Sequence, residues 1–176
     1  MGKPFGNGMP LAAVVCTRAI SETFALGPEY FNTFGGNPVC AAAGLAVLDT
    51  IVSEKLRERA VATGQYLCAK LRALSEEPGG TLLGDVRGVG LFIGIEFVRD
   101  RTSLEPATTE TSFICSRLKD KHNILTSIDG PHNNVIVIKP PLCFGIPEAR
   151  RLVAALRLEL EALYGTDISD VLHTPT

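Results

Sequence analysis

The hydrophobic pattern switches period several times along the chain, and each switch marks a new element. Leu56, Ala60, Gly64, Leu67, Leu71 and Leu74 recur at three- and four-residue spacing, which predicts a helix with one buried face. Leu152, Val153, Leu156, Leu160 and Leu163 make a second stripe, predicting a last helix opened by Pro147, whose missing amide costs nothing in a first turn. Between the stripes, Leu82–Val86, Gly90–Val98, Asn123–Ser127 and the β-branched Asn134–Lys139 predict strands. Thr108 begins a helix with Ile114 and Leu118 inward, and Arg99–Pro106 reads as a polar loop. Pro78-Gly79-Gly80, Asp129-Gly130 and Pro140-Pro141 punctuate the pattern. Helix, strands, helix, strands, helix from residue 54 to 164 describes an α+β unit.

Residues 1–53 read differently. After a Gly/Pro-rich turn, the apolar run Leu11–Thr17 predicts a buried strand, and Ser21–Phe24 a brief helical turn. Asn37 can cap and Pro38 can open a small-residue helix, whose alanines and glycine suit close packing. It is expected to bend near Ser53 into the Leu56 stripe. Residues 165–176 form a polar tail, expected to fray.

Composition narrows the function classes. The apolar fraction of 45% is ordinary for a globular protein, and the net charge is −2. Without a lysine- or arginine-rich run, neither nucleic acid nor an anionic membrane surface is an expected partner. Gly, Pro or charge interrupts every apolar run before it could span a bilayer. The five cysteines, at 16, 40, 68, 115 and 143, have neither Cys-x-x-Cys spacing nor companion histidines, so reduced thiols are expected and no metal site. Met1 leads directly into the turn, with no secretory or Arg-rich leader in this stretch.

Lys3 is the leading chemical candidate. In Gly2-Lys3-Pro4-Phe5-Gly6-Asn7-Gly8-Met9-Pro10 an amine is presented from a tight turn whose glycines allow close approach of a ligand. In a poorly solvated pocket such an amine has a lowered pKa and can form a Schiff base with an aldehyde. Taken alone, a solvated loop lysine is the commoner case. Thr33, in Asn32-Thr33-Phe34-Gly35-Gly36-Asn37-Pro38, is the second candidate, because a hydroxyl and amides just before a helix N-terminus suit a phosphate.

Together the two motifs resemble those of the class III pyridoxal-phosphate-dependent aminotransferases. Gly84–Glu96, Asp129-Gly130-Pro131-His132 and Ile138–Phe144 are similar to the phospho-lyase branch of that family, acting on ethanolamine phosphate or 5-phosphohydroxy-lysine. The resemblance implies an α/β, fold type I pyridoxal-phosphate-dependent transferase. Residues 1–53 would be the end of the large cofactor domain and 54–164 the small C-terminal domain. It implies that Lys3 binds pyridoxal 5'-phosphate covalently and that Thr33 takes the cofactor phosphate of a neighbouring subunit, in a homodimer or homotetramer. A phosphate loop, a ring-stacking aromatic and an aspartate on the pyridine nitrogen precede the lysine in the family, so this chain is expected to be a C-terminal fragment.

The expected reaction is elimination of phosphate from phosphoethanolamine, with phosphohydroxylysine the second choice of substrate. An ω-aminotransferase using the same Lys3 is the alternative, and a truncated, non-catalytic dimerisation product is the rival from another class. The family points to mitochondria. Val137 departs from the pattern: many class III aminotransferases carry there an arginine that forks onto the substrate carboxylate, and the phospho-lyase branch tends to carry lysine. Asn133 likewise stands where that branch usually has arginine. The loss at 137 disfavours α-amino-acid transamination and eases acceptance of a substrate lacking an α-carboxylate. Arg87, His132 and Lys139 read as structural or solvated side chains.

Overall fold

A computed structural model describes residues 1–166, and the chain divides into two compact units, Met1–Leu56 and a second beginning at Arg57. Residues 167–176, most of the expected tail, lie outside the described residues.

The first unit holds a 3₁₀ turn, Lys3–Gly6, and two helices, α1 (Arg18–Ala25) and α2 (Pro38–Ser53). Asn37 caps α2 as its sequence predicts: its Oδ1 accepts from the amides of Val39 (3.0 Å) and Cys40 (3.2 Å), and Pro38 fills the first turn. The helix stops at Ser53 and Lys55 adopts φ +52, so the expected bend is a break between two separate helices. Leu11–Thr17 is not a strand. Among the described residues no other strand lies alongside to share a ladder; the Ala13 amide donates to the Met1 carbonyl at 2.9 Å, and Val14 and Val15 are 91% and 83% exposed. A β-branched run supplies propensity, but a strand exists only against a partner. The helical turn expected at Ser21–Phe24 extends to all of α1, with Arg18 Nε bonded to Glu22 at 2.7 Å on its surface.

The second unit is an antiparallel sheet covered by three helices, α3 (Leu56–Ser75), α4 (Thr108–His122) and α5 (Ile146–Leu163). The strands β1 (Leu83–Val89), β2 (Phe92–Asp100), β5 (Val135–Ile138) and β4 (Ser127–Asp129) lie in the order β1-β2-β5-β4. A two-residue β3 (Glu105–Pro106) pairs with the end of β2, inside the stretch expected to be wholly loop. Register follows the alternation of side chains. Ile93 pairs with Ile138 and Ile95 with Ile136, and these four join Phe97 in the helix-covered core. Gly94 and Glu96 pair with Val137 and Val135 on the other face.

Both apolar stripes are buried as predicted: Leu67, Leu71 and Leu156 are fully enclosed, and Leu74 and Leu160 nearly so. Burying a leucine contributes about 1.5–3 kcal/mol, so these stripes hold the helices to the sheet. The Asn123–Ser127 strand is a correction. Residues 123–126 are unpaired and β4 starts only at Ser127. β5 ends at Ile138, and Pro140 and Pro141 just beyond have no amide to donate to a longer ladder.

Candidate active site

The Lys3 turn is built by its own backbone. Gly2 is extended, the Phe5 amide donates to the Gly2 carbonyl (3.2 Å), and the Asn7 amide closes on Pro4 (3.0 Å). Asn7 and Gly8 then take left-handed φ of +46 and +103, turning the chain towards Leu11. Leu11 and Phe5 pack on Gly44 of α2, where the absence of a side chain leaves room for the Leu11 tip. Cys40, one turn earlier, is buried. The small residues of α2 therefore seat the turn that carries Lys3. The Lys3 side chain itself lies outside the described part of the structure.

Thr33 sits in an exposed turn shaped by Asn32. Asn32 Oδ1 accepts from the amides of Phe34 (3.0 Å) and Gly35 (2.9 Å), and the Asn37 amide bonds Phe34 at 3.3 Å. Gly36, at φ +74, leads into the Asn37 cap. The Gly35 amide, one of those just before the helix N-terminus, is thus occupied internally. The Thr33 amide and hydroxyl and the Gly36 amide carry no hydrogen bond among the described residues. No hydrogen bond among the described residues joins this turn to the Lys3 turn.

The second unit brings together residues far apart in sequence. One row crosses its uncovered sheet face: Arg87 opposite Gly94, Gly94 opposite Val137, Val137 opposite Ser127. Arg87 is held on this face by Asp85 (2.7 Å) and Glu96. The hydrogen bonds it donates to those two carboxylates raise its already high pKa, so it stays charged, with its charge balanced by theirs. Val137 is 8% exposed. His132 is exposed and serves through its backbone, its carbonyl accepting from Thr108 Oγ1 at 2.6 Å. Asn133 takes a left-handed φ of +51 in the same exposed turn.

Sequence reasoning missed a groove of about 440 Å³ between the 123–127 segment, unpaired up to Thr126, and the end of β5, floored by Phe144 and Leu152. Lys139 and Arg151 line it, together with Glu148. Only the amide-poor Pro140-Pro141 stretch could have hinted that the 123–127 segment would come loose from its neighbour. A second cluster ties α4 to α5: buried Glu159 accepts from Arg117 Nε at 2.6 Å and pairs with His122 Nε2 at 2.7 Å. Among the described residues no group of histidine, cysteine and carboxylate side chains could hold a metal, and no helix is long and apolar enough to cross a membrane.

The fold is that of a pyridoxal-phosphate-dependent transferase of fold type I. The family model for aminotransferase class III matches residues 1–159, and the chain belongs to that family, whose members depend on pyridoxal phosphate. The chain is 43% identical over 158 residues to the ethanolamine-phosphate phospho-lyase homolog 1 of Caenorhabditis elegans, covering 89% of this chain and 33% of that protein. It is 47% identical over 156 residues to the mitochondrial alanine–glyoxylate aminotransferase 2 homolog 2 of Arabidopsis thaliana, with coverages of 89% and 32%. Among solved structures, an Arthrobacter phospholyase in complex with phosphoethanolamine superposes with a TM-score of 0.84 at 40% identity, over 93% of this chain and 38% of that one. The chain thus spans about a third of the length of the relatives it matches.

Proposed function

We propose that this chain supplies the lysine and the phosphate-binding threonine of a pyridoxal-phosphate-dependent phospho-lyase that removes phosphate from phosphoethanolamine. The likeness to the Arthrobacter phospholyase, over nearly the whole chain, carries this reading. In it, residues 1–53 belong to a large cofactor domain, 54–164 form the small domain, the protein is a homodimer or homotetramer, and its compartment is the mitochondrion.

The residues present suit the cofactor's two handles. An amine on a turn seated against a small-residue helix fits its aldehyde, and a hydroxyl beside unbonded amides fits its phosphate. When bound, pyridoxal phosphate stores the electron pair released as a substrate C–H bond breaks. Lys3 would hold the cofactor and then, as a free amine, take the proton from the carbon bearing the substrate nitrogen. Thr33 would donate its hydroxyl to the cofactor phosphate of the neighbouring subunit. Loss of phosphate from the adjacent carbon and addition of one water give acetaldehyde, ammonia and inorganic phosphate. Val137, uncharged and mostly buried, offers no partner for an α-carboxylate, which favours a substrate lacking one.

Two measurements test this. The chain mixed with pyridoxal phosphate should absorb at ~410–430 nm, the range of this cofactor bound to a lysine, and Lys3→Ala should not. Phosphate release from phosphoethanolamine by the complete protein should need no keto acid. An ω-aminotransferase, the reading favoured by the Arabidopsis relative's name, would require a keto acid and release no phosphate.

A further inference from the structure

Among the described residues up to Ser53, Gly6, Cys40 and Gly44 alone are buried. Gly6 belongs to the Lys3 turn and the other two to α2. Elsewhere the first unit turns most of its large apolar side chains outward, Phe24 of α1 and Leu45 and Leu48 of α2 among them. Leu11 behaves differently from the rest of its run. It is half-buried, whereas Val14, Val15 and Cys16 are exposed. The packing of the segment that carries Lys3 thus converges on this leucine.

Leu11 is gripped from two sides. A Cβ on Gly6 would lie 3.1 Å from the Leu11 Cβ, and one on Gly44 would collide with the Leu11 Cδ2. Each glycine leaves space that the leucine fills, one from the turn and one from the helix. The chain comes back over Gly6 by reversing at Asn7 and Gly8, and Pro4 and Pro10 fix φ on either side of that reversal. The ends of the segment are tied as well: the Met1 nitrogen donates to the Ala13 carbonyl at 2.8 Å, and the Ala13 amide donates back to Met1 at 2.9 Å. Lys3 therefore sits in a closed loop, residues 1–13, that Leu11 fastens to α2. An amine that must meet an aldehyde carbon depends on such a fastening, because a misplacement of about 1 Å can cost roughly a hundredfold in rate.

We infer that Leu11 is the positioning residue of the Lys3 amine, fixing on α2 the turn from which that amine meets the cofactor's aldehyde. Its role towards pyridoxal phosphate rests on the reading of Lys3 as the cofactor lysine; its hold on the turn does not. Leu11 acts through the backbone at Gly6, three residues from Lys3, and not through the reacting atoms.

¹⁵N relaxation of the chain without cofactor reads the turn directly. The amide order parameters of Phe5, Gly6, Asn7, Gly8 and Met9 should lie near ~0.85, as in rigid backbone, and fall to about 0.6 or lower in Leu11→Ala. Gly44→Ala keeps the leucine but displaces its tip, and should lower them in a chain that stays folded. Leu11→Met, flexible enough to fill the same space, should restore them. In the complete protein, Leu11→Ala should weaken pyridoxal phosphate about tenfold, the worth of a leucine's partial burial. Pyridoxine phosphate, which lacks the aldehyde, should bind parent and variant alike. Unchanged order parameters in Leu11→Ala, equal weakening of both compounds, or no recovery in Leu11→Met would overturn the positioning role. A cofactor band at ~410–430 nm that Lys3→Ala abolishes and Leu11→Ala leaves at full affinity would sink that role and leave the cofactor lysine standing. A band that survives Lys3→Ala would sink the cofactor lysine, with the order parameters still deciding whether Leu11 holds the turn.

Discussion

Gly64 of α3 lies against the carbonyl of Gly90, in the turn between β1 and β2, so closely that no side chain fits between them. The helix and the hairpin touch backbone to backbone at this point, and the register of β2 against β5 is reached from that turn. Gly64→Ala must therefore push the hairpin away. We expect a loss of about 1–3 kcal/mol, the range for overpacking a close contact, read as a fall in the urea midpoint at unchanged slope. Gly44→Ala on α2 is the contrasting case. There the neighbour is the flexible tip of Leu11, which can rotate aside, and alanine favours helix over glycine by about 1 kcal/mol. Its stability should stay within about 1 kcal/mol of the parent, and an equal loss for both substitutions would contradict this account.

Asn37→Ala removes the side-chain acceptor of two α2 amides. A loss of about 0.5–2 kcal/mol is expected in denaturant unfolding. Asn37→Ser should recover most of it, since a hydroxyl can cap the same amides.

The Glu159 cluster sets a pH dependence. Burial pushes the Glu159 carboxyl up, but hydrogen bonds and charge from Arg117 and His122 outweigh it and hold the pKa below the ordinary 4.5. A carboxylate with a depressed folded-state pKa contributes stability that is complete above its unfolded value and is lost as pH falls through the folded one. The urea midpoint difference between the parent and Glu159→Gln should therefore shrink progressively as pH falls below 4.5. At neutral pH the substitution should cost about 3 kcal/mol, because it leaves Arg117 partly buried without its counter-charge. A midpoint difference that is the same at pH 3.5 and pH 7 would show that the cluster is not linked to this proton.

Thr33→Val keeps the shape of the turn and removes its hydroxyl. If Thr33 holds the cofactor phosphate, pyridoxal phosphate affinity in the complete protein should fall about tenfold, the value of one hydrogen bond to a charged group. Pyridoxal, without the phosphate, should bind both forms alike. Equal weakening for both compounds would make Thr33 structural.

Much of the molecule was legible in its residues because the relevant physics is local. The stripes of α3 and α5 bury as their three- and four-residue spacing requires, and Asn37-Pro38 opens α2 through contacts within four residues. The motifs around Lys3 and Thr33 are likewise contiguous, so the family could be named from them. Leu11–Thr17 and Asn123–Thr126 have the residues of strands and form none, for one reason: apolar, β-branched residues report a propensity, but a strand needs a neighbour with free amides and carbonyls at the right register. The first run meets no such neighbour among the described residues, and the second faces a partner that ends in prolines.

By itself, then, the sequence determined the long helices, the Asn37 cap of α2, the turn that presents Lys3 and the family. Each of these depends on residues within a turn or two of one another. Only the tertiary structure decided which strands pair, that Gly64 must admit the Gly90 carbonyl, and that Lys139 and Arg151 share a groove. Those relationships join residues far apart in the chain, Gly64 with Gly90 and Ile93 with Ile138, through the sheet and the helices packed on it, and side-chain periodicity carries no record of such distances.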